Sequence, residues 1–166
     1  MSPANSASEN IESVFGNSLQ KTKLDLNELF RQVMQKFSIN MQKREVIVRC
    51  DTLPSIHGNK TLIARLFEYI VGMIVSHALL DSKFFLYVSY EEEKVDKLNG
   101  IKYFILKFHT NVIINSNWKE INKQAFMECE RILSDQGGVL LVNNIGKTGC
   151  LFSISLPVNS NSHVVN

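Results

Sequence analysis

Few residues of this 166-residue chain have types and spacings suited to chemistry. The histidines are His57, His77, His109 and His163, and no two of them stand at metal-ligand spacing. His77 falls on an apolar helical stretch and is followed by Ala78, Leu79 and Leu80. Cys50, Cys129 and Cys150 are an odd count with no CxxC pair, which reads as reduced core thiols in a cytoplasmic protein and not as a disulfide frame or zinc site. Gly146-Lys147-Thr148 has Leu141 where a phosphate loop needs glycine, so a hairpin turn is expected there. No GxSxG elbow marks a nucleophile, and a triad assembled in space would leave no mark in sequence. Glu91-Glu92-Glu93 reads as a solvated loop edge, with docking of a basic partner as its functional alternative.

The elements that would position these groups belong to one ordinary domain. Hydrophobic residues make up 45% and charged residues 20%, enough for a core and too apolar for a disordered chain. A formal net charge of +2 gives no electrostatic footprint for nucleic acid or a membrane surface. Met1–Asn10 has neither the basic nor the apolar region of a signal peptide, and Tyr69–Leu80 is too short to span a bilayer. Residues 1–23 read as a flexible segment or linker that includes a short helix over Ile11–Gln20, residues 24–158 as the domain, and residues 159–166 as a flexible tail.

Leu26, Leu29, Phe30, Val33, Met34, Phe37 and Met41 recur at helical spacing and predict a helix of about five turns. Asp25 is its expected N-cap and Glu28 completes a capping box, while Lys36, Lys43 and Arg44 suit the negative C-terminal end. Val46–Cys50 reads as a strand and 51–58 as a loop. A second helix, more apolar, starts after Asn59 and runs to about Leu80. Phe84–Tyr90 and Ile101–His109 form a hairpin across a charged loop. A third helix places Trp118, Ile121, Ala125, Cys129, Ile132 and Leu133 on one face and ends at Gly137-Gly138. Two further strands, Val139–Asn143 and Cys150–Leu156, flank the glycine turn. The expected fold is an α+β two-layer sandwich: a mixed, mostly antiparallel sheet of about five strands with three helices on one face.

Four stretches resemble the ATP-binding domain of sensor histidine kinases, the Bergerat-type ATPase fold also seen in gyrase, Hsp90 and MutL. Asp25-Leu26-Asn27-Glu28-Leu29 resembles the "dLnell" opening, and Leu53-Pro54-Ser55-Ile56-His57-Gly58-Asn59 resembles the "lP.v.gD" loop before the N-box helix. Ile132-Leu133-Ser134-Asp135-Gln136-Gly137-Gly138 resembles "iv..hGG", and the stretch from Gly146 to Pro157 resembles "GkGttF.i.LP". The similarity spans Leu24 to Val158.

That resemblance also implies where a nucleotide would bind, and the residues there differ. The metal-holding asparagine of the second helix falls at Met73 and the asparagine one turn earlier at Tyr69. Mg²⁺ wants oxygen ligands, which a thioether does not supply. The adenine-binding aspartate falls at Thr110, and the glycines after it at Val112 and Ile114. The second glycine box falls at Lys123-Gln124-Ala125-Phe126, where side chains occupy the approach that phosphates need. Lys123 could still meet an anion as a point charge, or be a solvated helix-face lysine. Few residues separate Asn111 from Lys123, so the lid is nearly absent.

The expectation is therefore a retained fold with a vestigial pocket at Tyr69, Met73, Thr110, Lys123 and Ala125, with no catalytic residue, no metal and no cofactor. Such a chain would be a pseudo-ATPase signalling domain of the two-component type. Its partner would be a histidine kinase, a response regulator or its own copy. One alternative is a divergent ATP- and Mg-binding domain clipped from a longer sensor kinase. Another is part of a histidine phosphotransfer protein, for which the residues before Asp25 are too few to build a helical hairpin.

Overall fold

The computed structural model describes residues 21–42, 44–78, 83–92 and 97–158. The short helix expected over Ile11–Gln20, the tail, Lys43, Leu79, Leu80, Glu93 and His163 lie outside them. Among the described residues seven strands occur in chain order: β1 Thr22–Asp25, β2 Val46–Cys50, β3 Ser55–Gly58, β4 Phe84–Glu92, β5 Tyr103–Thr110, β6 Val139–Ile145 and β7 Gly149–Pro157. The helices are α1 Leu26–Met41, α2 Lys60–Ser76, the short α3 Trp118–Ile121 and α4 Lys123–Asp135.

The main sheet has the order β2-β4-β5-β7-β6, with β2 parallel to β4 and every other pair antiparallel. Alternation along β4, β5 and β7 buries Leu86, Phe108, Phe152 and their row-mates against the helices, leaving Tyr87, Lys107 and Ser153 on the opposite, half-exposed face. This is the two-layer architecture expected, with one addition. The loop expected over 51–58 contains β3, which pairs antiparallel with β1 in a separate two-stranded sheet. Leu24 and Ile56 stand opposite each other in it, and both are buried.

Helix α1 forms where its apolar stripe predicts, and Leu26, Leu29, Phe30 and Val33 are buried. Asp25 caps it by accepting from the Asn27 N–H at 2.9 Å. Glu28 does not serve as a capping-box partner; its carboxylate takes hydrogen bonds from Arg31 and Gln32. No basic residue occupies the last turn of α1, and Lys36 instead pairs with Glu68 on α2. Asn59 caps α2 through the Leu62 N–H at 3.1 Å, and α2 ends at Ser76, sooner than its apolar run suggests. Phe30, Phe67 and Phe108 meet edge to face, with centroids 5.7 to 6.5 Å apart, and lock α1, α2 and β5 together.

The single third helix expected is two. The chain breaks at Asn122, whose side-chain amide donates to the Trp118 carbonyl at 3.0 Å. The break turns Ile121 outward to 67% exposure, although its spacing placed it on the buried face. Helix α4 ends as expected: Gly137 takes φ +75°, and the Gly138 N–H reaches the Leu133 carbonyl at 2.7 Å.

Candidate functional site

The residues that the resemblance gathers around a nucleotide lie on α2, at the end of β5 and at the start of α4. On α2, Tyr69 is half-buried and Met73 is only 2% exposed, packed into the main core. Helices α2 and α4 pack directly on each other, with Cys129, Ile132 and Leu133 buried on α4. Thr110, at the end of β5, is fully buried, and its Oγ1 accepts from the Val112 N–H at 3.2 Å. Val112 is itself buried, and Ile114 packs against the core where the family pattern has glycine.

Trp118 closes this region from the α3 side. Its ring lies edge-on to Phe126 at 5.9 Å and to Phe152 at 5.5 Å, and the residue is 2% exposed. Its indole Nε1 is buried without a hydrogen-bond partner among the described residues. The Lys119 ammonium lies 5.5 Å from the centroid of Phe126, so that ring is flanked by an indole and a cation. The periodicity places Trp118 on the buried face of a helix but does not set it in this region. The signal was available, since this is the chain's one tryptophan and it follows the polar run Asn115-Ser116-Asn117.

The surface holds the remaining pocket positions. Lys123 is exposed at the first position of α4 and lines a shallow cleft of about 510 Å³ with Glu120, Gln124 and Glu128. Ala125 is half-buried one turn into the same helix. A smaller cleft of about 220 Å³ lies at the C-terminal end of α2, lined by His77, Lys83, Phe84, Asn111 and Ile113 among others.

The positions that the resemblance assigns to a magnesium nucleotide carry the following groups. Met73, the residue that the resemblance sets at the metal position, presents a thioether, whereas a hard cation takes oxygen ligands. The Thr110 hydroxyl accepts from the backbone of its own turn. Lys123 and Ala125, which the resemblance sets beside the phosphates, are exposed and half-buried.

The histidines are spread apart. His77 Nδ1 lies 3.0 Å from the Met73 carbonyl, and its Nε2 lies 3.5 Å from Asn122 Nδ2, so the ring ties the end of α2 to the helix break. A proton on Nδ1 lets both contacts act as hydrogen bonds. His109 sits on the open sheet face, edge-on to Phe85, and His57 is exposed on β3. Gly146-Lys147-Thr148 is the hairpin turn expected, with the Thr148 N–H donating to the Ile145 carbonyl at 3.1 Å. Glu91 belongs to β4 and not to a loop, and Lys107 holds it at 2.7 Å.

Burial drives the Cys129 and Cys150 thiols up to about 12. Cys50 corrects the expectation of three core thiols: it is exposed on the edge strand β2. Partial burial of its sulfur, followed by the Asp51 charge, still pushes that thiol up to about 11. No helix among the described residues is long and apolar enough to cross a membrane.

No family model matches this chain, and no curated protein matches it. Solved structures do. The catalytic domain of the histidine kinase ThkA superposes with a TM-score of 0.66 at 15% identity, over 84% of this chain and 97% of that one. The Acinetobacter baumannii histidine kinase AdeS gives 0.64 at 14% identity, over 85% of this chain and 68% of that one. ThkA in complex with the response regulator TrrA gives 0.65 at 17% identity, over 93% of this chain and 49% of that one. This chain has the fold of the catalytic, ATP-binding domain of histidine kinases.

Proposed function

We propose that this chain is a non-catalytic signalling domain of the two-component type, which works by binding a protein partner in the cytoplasm and not by turning over ATP. The observation that carries this is Met73, a buried thioether at the position that would have to hold Mg²⁺. Its burial contributes on the order of 1.5–3 kcal/mol to the fold, so the residue serves stability where the resemblance asks for a ligand. Trp118 and Val112 support the same reading, because both are buried beside Thr110 and α4 in place of a lid. On this reading Tyr69, Met73, Thr110, Lys123 and Ala125 mark a vestigial pocket. The partner class is a histidine kinase, a response regulator or a second copy. The ThkA complex is a precedent for a response regulator bound to a kinase of this fold.

Isothermal titration of the chain with Mg-ATP tests the proposal. It expects no saturable heat up to millimolar nucleotide, and micromolar binding would sink it.

The near-complete overlap with the ThkA catalytic domain favours a second reading, a divergent working ATP-binding domain from a longer kinase. Transfer of radiolabel from ATP to a supplied phosphoacceptor helix would establish that alternative.

A further inference from the structure

The main sheet begins with β2, bonded on one side to β4 and to no strand on the other among the described residues. The Glu45 carbonyl accepts from the Phe84 N–H at 2.9 Å, and the Asp51 N–H donates to the Val88 carbonyl at 2.9 Å. Residues at odd positions therefore turn their backbone groups toward β4. Val46, Val48 and Cys50 turn theirs outward.

This edge is short and carries charges at Glu45 and Arg49, but it lacks two other protections. It has no proline, and its pairing to β4 runs through five residues without a bulge. Ile47 and Val48 are 40% and 37% exposed. Beside it, between α1 and β2, runs a groove of about 530 Å³ lined by Phe30, Met34, Val48 and Cys50 with polar residues at its rim.

We propose that β2 pairs antiparallel with β2 of a second copy of this chain, joining two five-stranded sheets into one of ten strands. A two-fold axis perpendicular to the sheet keeps each face on its own side, so residues opposite each other share parity. Centring the pair on Ile47 sets Glu45 opposite Arg49 at both ends and Val46 opposite Val48 in hydrogen-bonded pairs. Centring it on Val48 sets Glu45 against Asp51, and centring it on Arg49 sets two guanidinium groups face to face. Centring it on Cys50 also sets Arg49 opposite Asp51, but Val48 and Ile47 would then face Thr52 and Leu53 beyond the end of β2, so charge and strand length together select the Ile47 register. The two Ile47 side chains then meet in a non-hydrogen-bonded pair, where side chains approach most closely, with Phe85 beside each on the same face.

The inference rests on the reading of this chain as a protein-binding domain only in making the occupant a protein; nucleotide titration tests that reading separately. Sedimentation equilibrium of the full chain from about 10 µM to about 1 mM reads the association directly and is expected to show a monomer–dimer equilibrium. Val48→Pro removes an outward N–H that the protomer does not use, and is expected to leave a folded monomer by circular dichroism. Glu45→Arg or Arg49→Glu alone is expected to weaken the dimer roughly three- to tenfold, and the two together to restore it. Ile47→Cys is expected to form an interchain disulfide under mild oxidation. A chain that stays monomeric throughout overturns the proposal. So does a dimer that Val48→Pro leaves intact, or a double charge swap that fails to restore association.

Discussion

Trp118 meets Phe152 edge-on, with ring centroids 5.5 Å apart and planes at 70°, and this contact pins the short helix α3 to strand β7. The same indole packs against Phe126 on α4, the helix that the resemblance sets beside the phosphates, so its removal tests packing and the proposed function together. Trp118→Ala is expected to cost about 3–5 kcal/mol in urea unfolding, the range for a large aromatic replaced by a methyl in a core. Trp118→Phe keeps a ring against Phe126 and Phe152 and deletes the buried indole N–H that lacks a partner, so it is expected to cost less than half as much. Neither variant is expected to gain Mg-ATP binding, because Met73 still offers no oxygen to the metal. Equal losses for the two substitutions would show that the ring contacts are not what holds α3.

Asn27 acts as a piece of backbone. Its amide donates to the Leu53 carbonyl at 2.8 Å and accepts from the Leu53 N–H at 2.7 Å, holding the segment between β2 and β3 against the first turn of α1. Asn27→Ala leaves both Leu53 groups unpaired in a half-buried setting and is expected to cost about 1–3 kcal/mol. Asn27→Asp keeps the acceptor but sets a carboxylate against the Leu53 carbonyl. Its loss at neutral pH is expected to shrink as the acid protonates and donates again. Urea midpoints at two pH values separate the two cases, and an aspartate variant as stable as the native chain at neutral pH would remove the bridging role.

The parts of the fold legible in sequence are those whose periodicity is answered by their own neighbours. The spacing of Leu26, Leu29, Phe30 and Val33 gives α1, and the strict alternation of β5 and β7 gives the sheet core. Strand β3 was not legible, because only four residues carry it and its partner β1 lies some thirty residues earlier in the chain. The break at Asn122 was hidden for a related reason: Ile121 keeps the helical period in sequence, but a side-chain amide that captures the Trp118 carbonyl redirects the chain. The exposure of Cys50 follows from β2 being an edge, a property of strand order that no local pattern records. At the candidate site, the family frame pointed to Met73 and Thr110, both of which are buried. It could not locate Trp118, whose place depends on how a short segment folds back over β7.

Glu28 makes acid sensitivity predictable in sign. Hydrogen bonds from Arg31 and then Gln32 hold its carboxyl at about 2, below the ordinary 4.5. A carboxyl depressed in the folded chain stabilises it above 4.5, and that contribution is lost as pH falls from 4.5 toward 2. The group is on the surface, so salt is expected to weaken the effect. Glu28→Gln is expected to flatten the urea-midpoint profile across this window relative to the native chain. A steeper profile in the variant would place the acid sensitivity elsewhere.

The thiols give a chemical readout of the edge strand. Cys129 and Cys150 are buried, with thiols pushed up to about 12, so neither supplies appreciable thiolate near neutrality. Cys50 is exposed, but at about 11 it too is mostly protonated at pH 8. Iodoacetamide is therefore expected to add a single group to the native chain, slowly at pH 8 and much faster at pH 10. All three cysteines should react once the chain is unfolded. Asp51→Asn removes the negative charge that helps to raise the Cys50 thiol, and is expected to speed labelling without exposing the other two. Mass spectrometry counts the adducts at each time point. Equal labelling of Cys129 and Cys50 in the native chain would mean that the α2–α4 packing opens on the timescale of the reaction, and that the region sealed by Trp118 is not closed in solution.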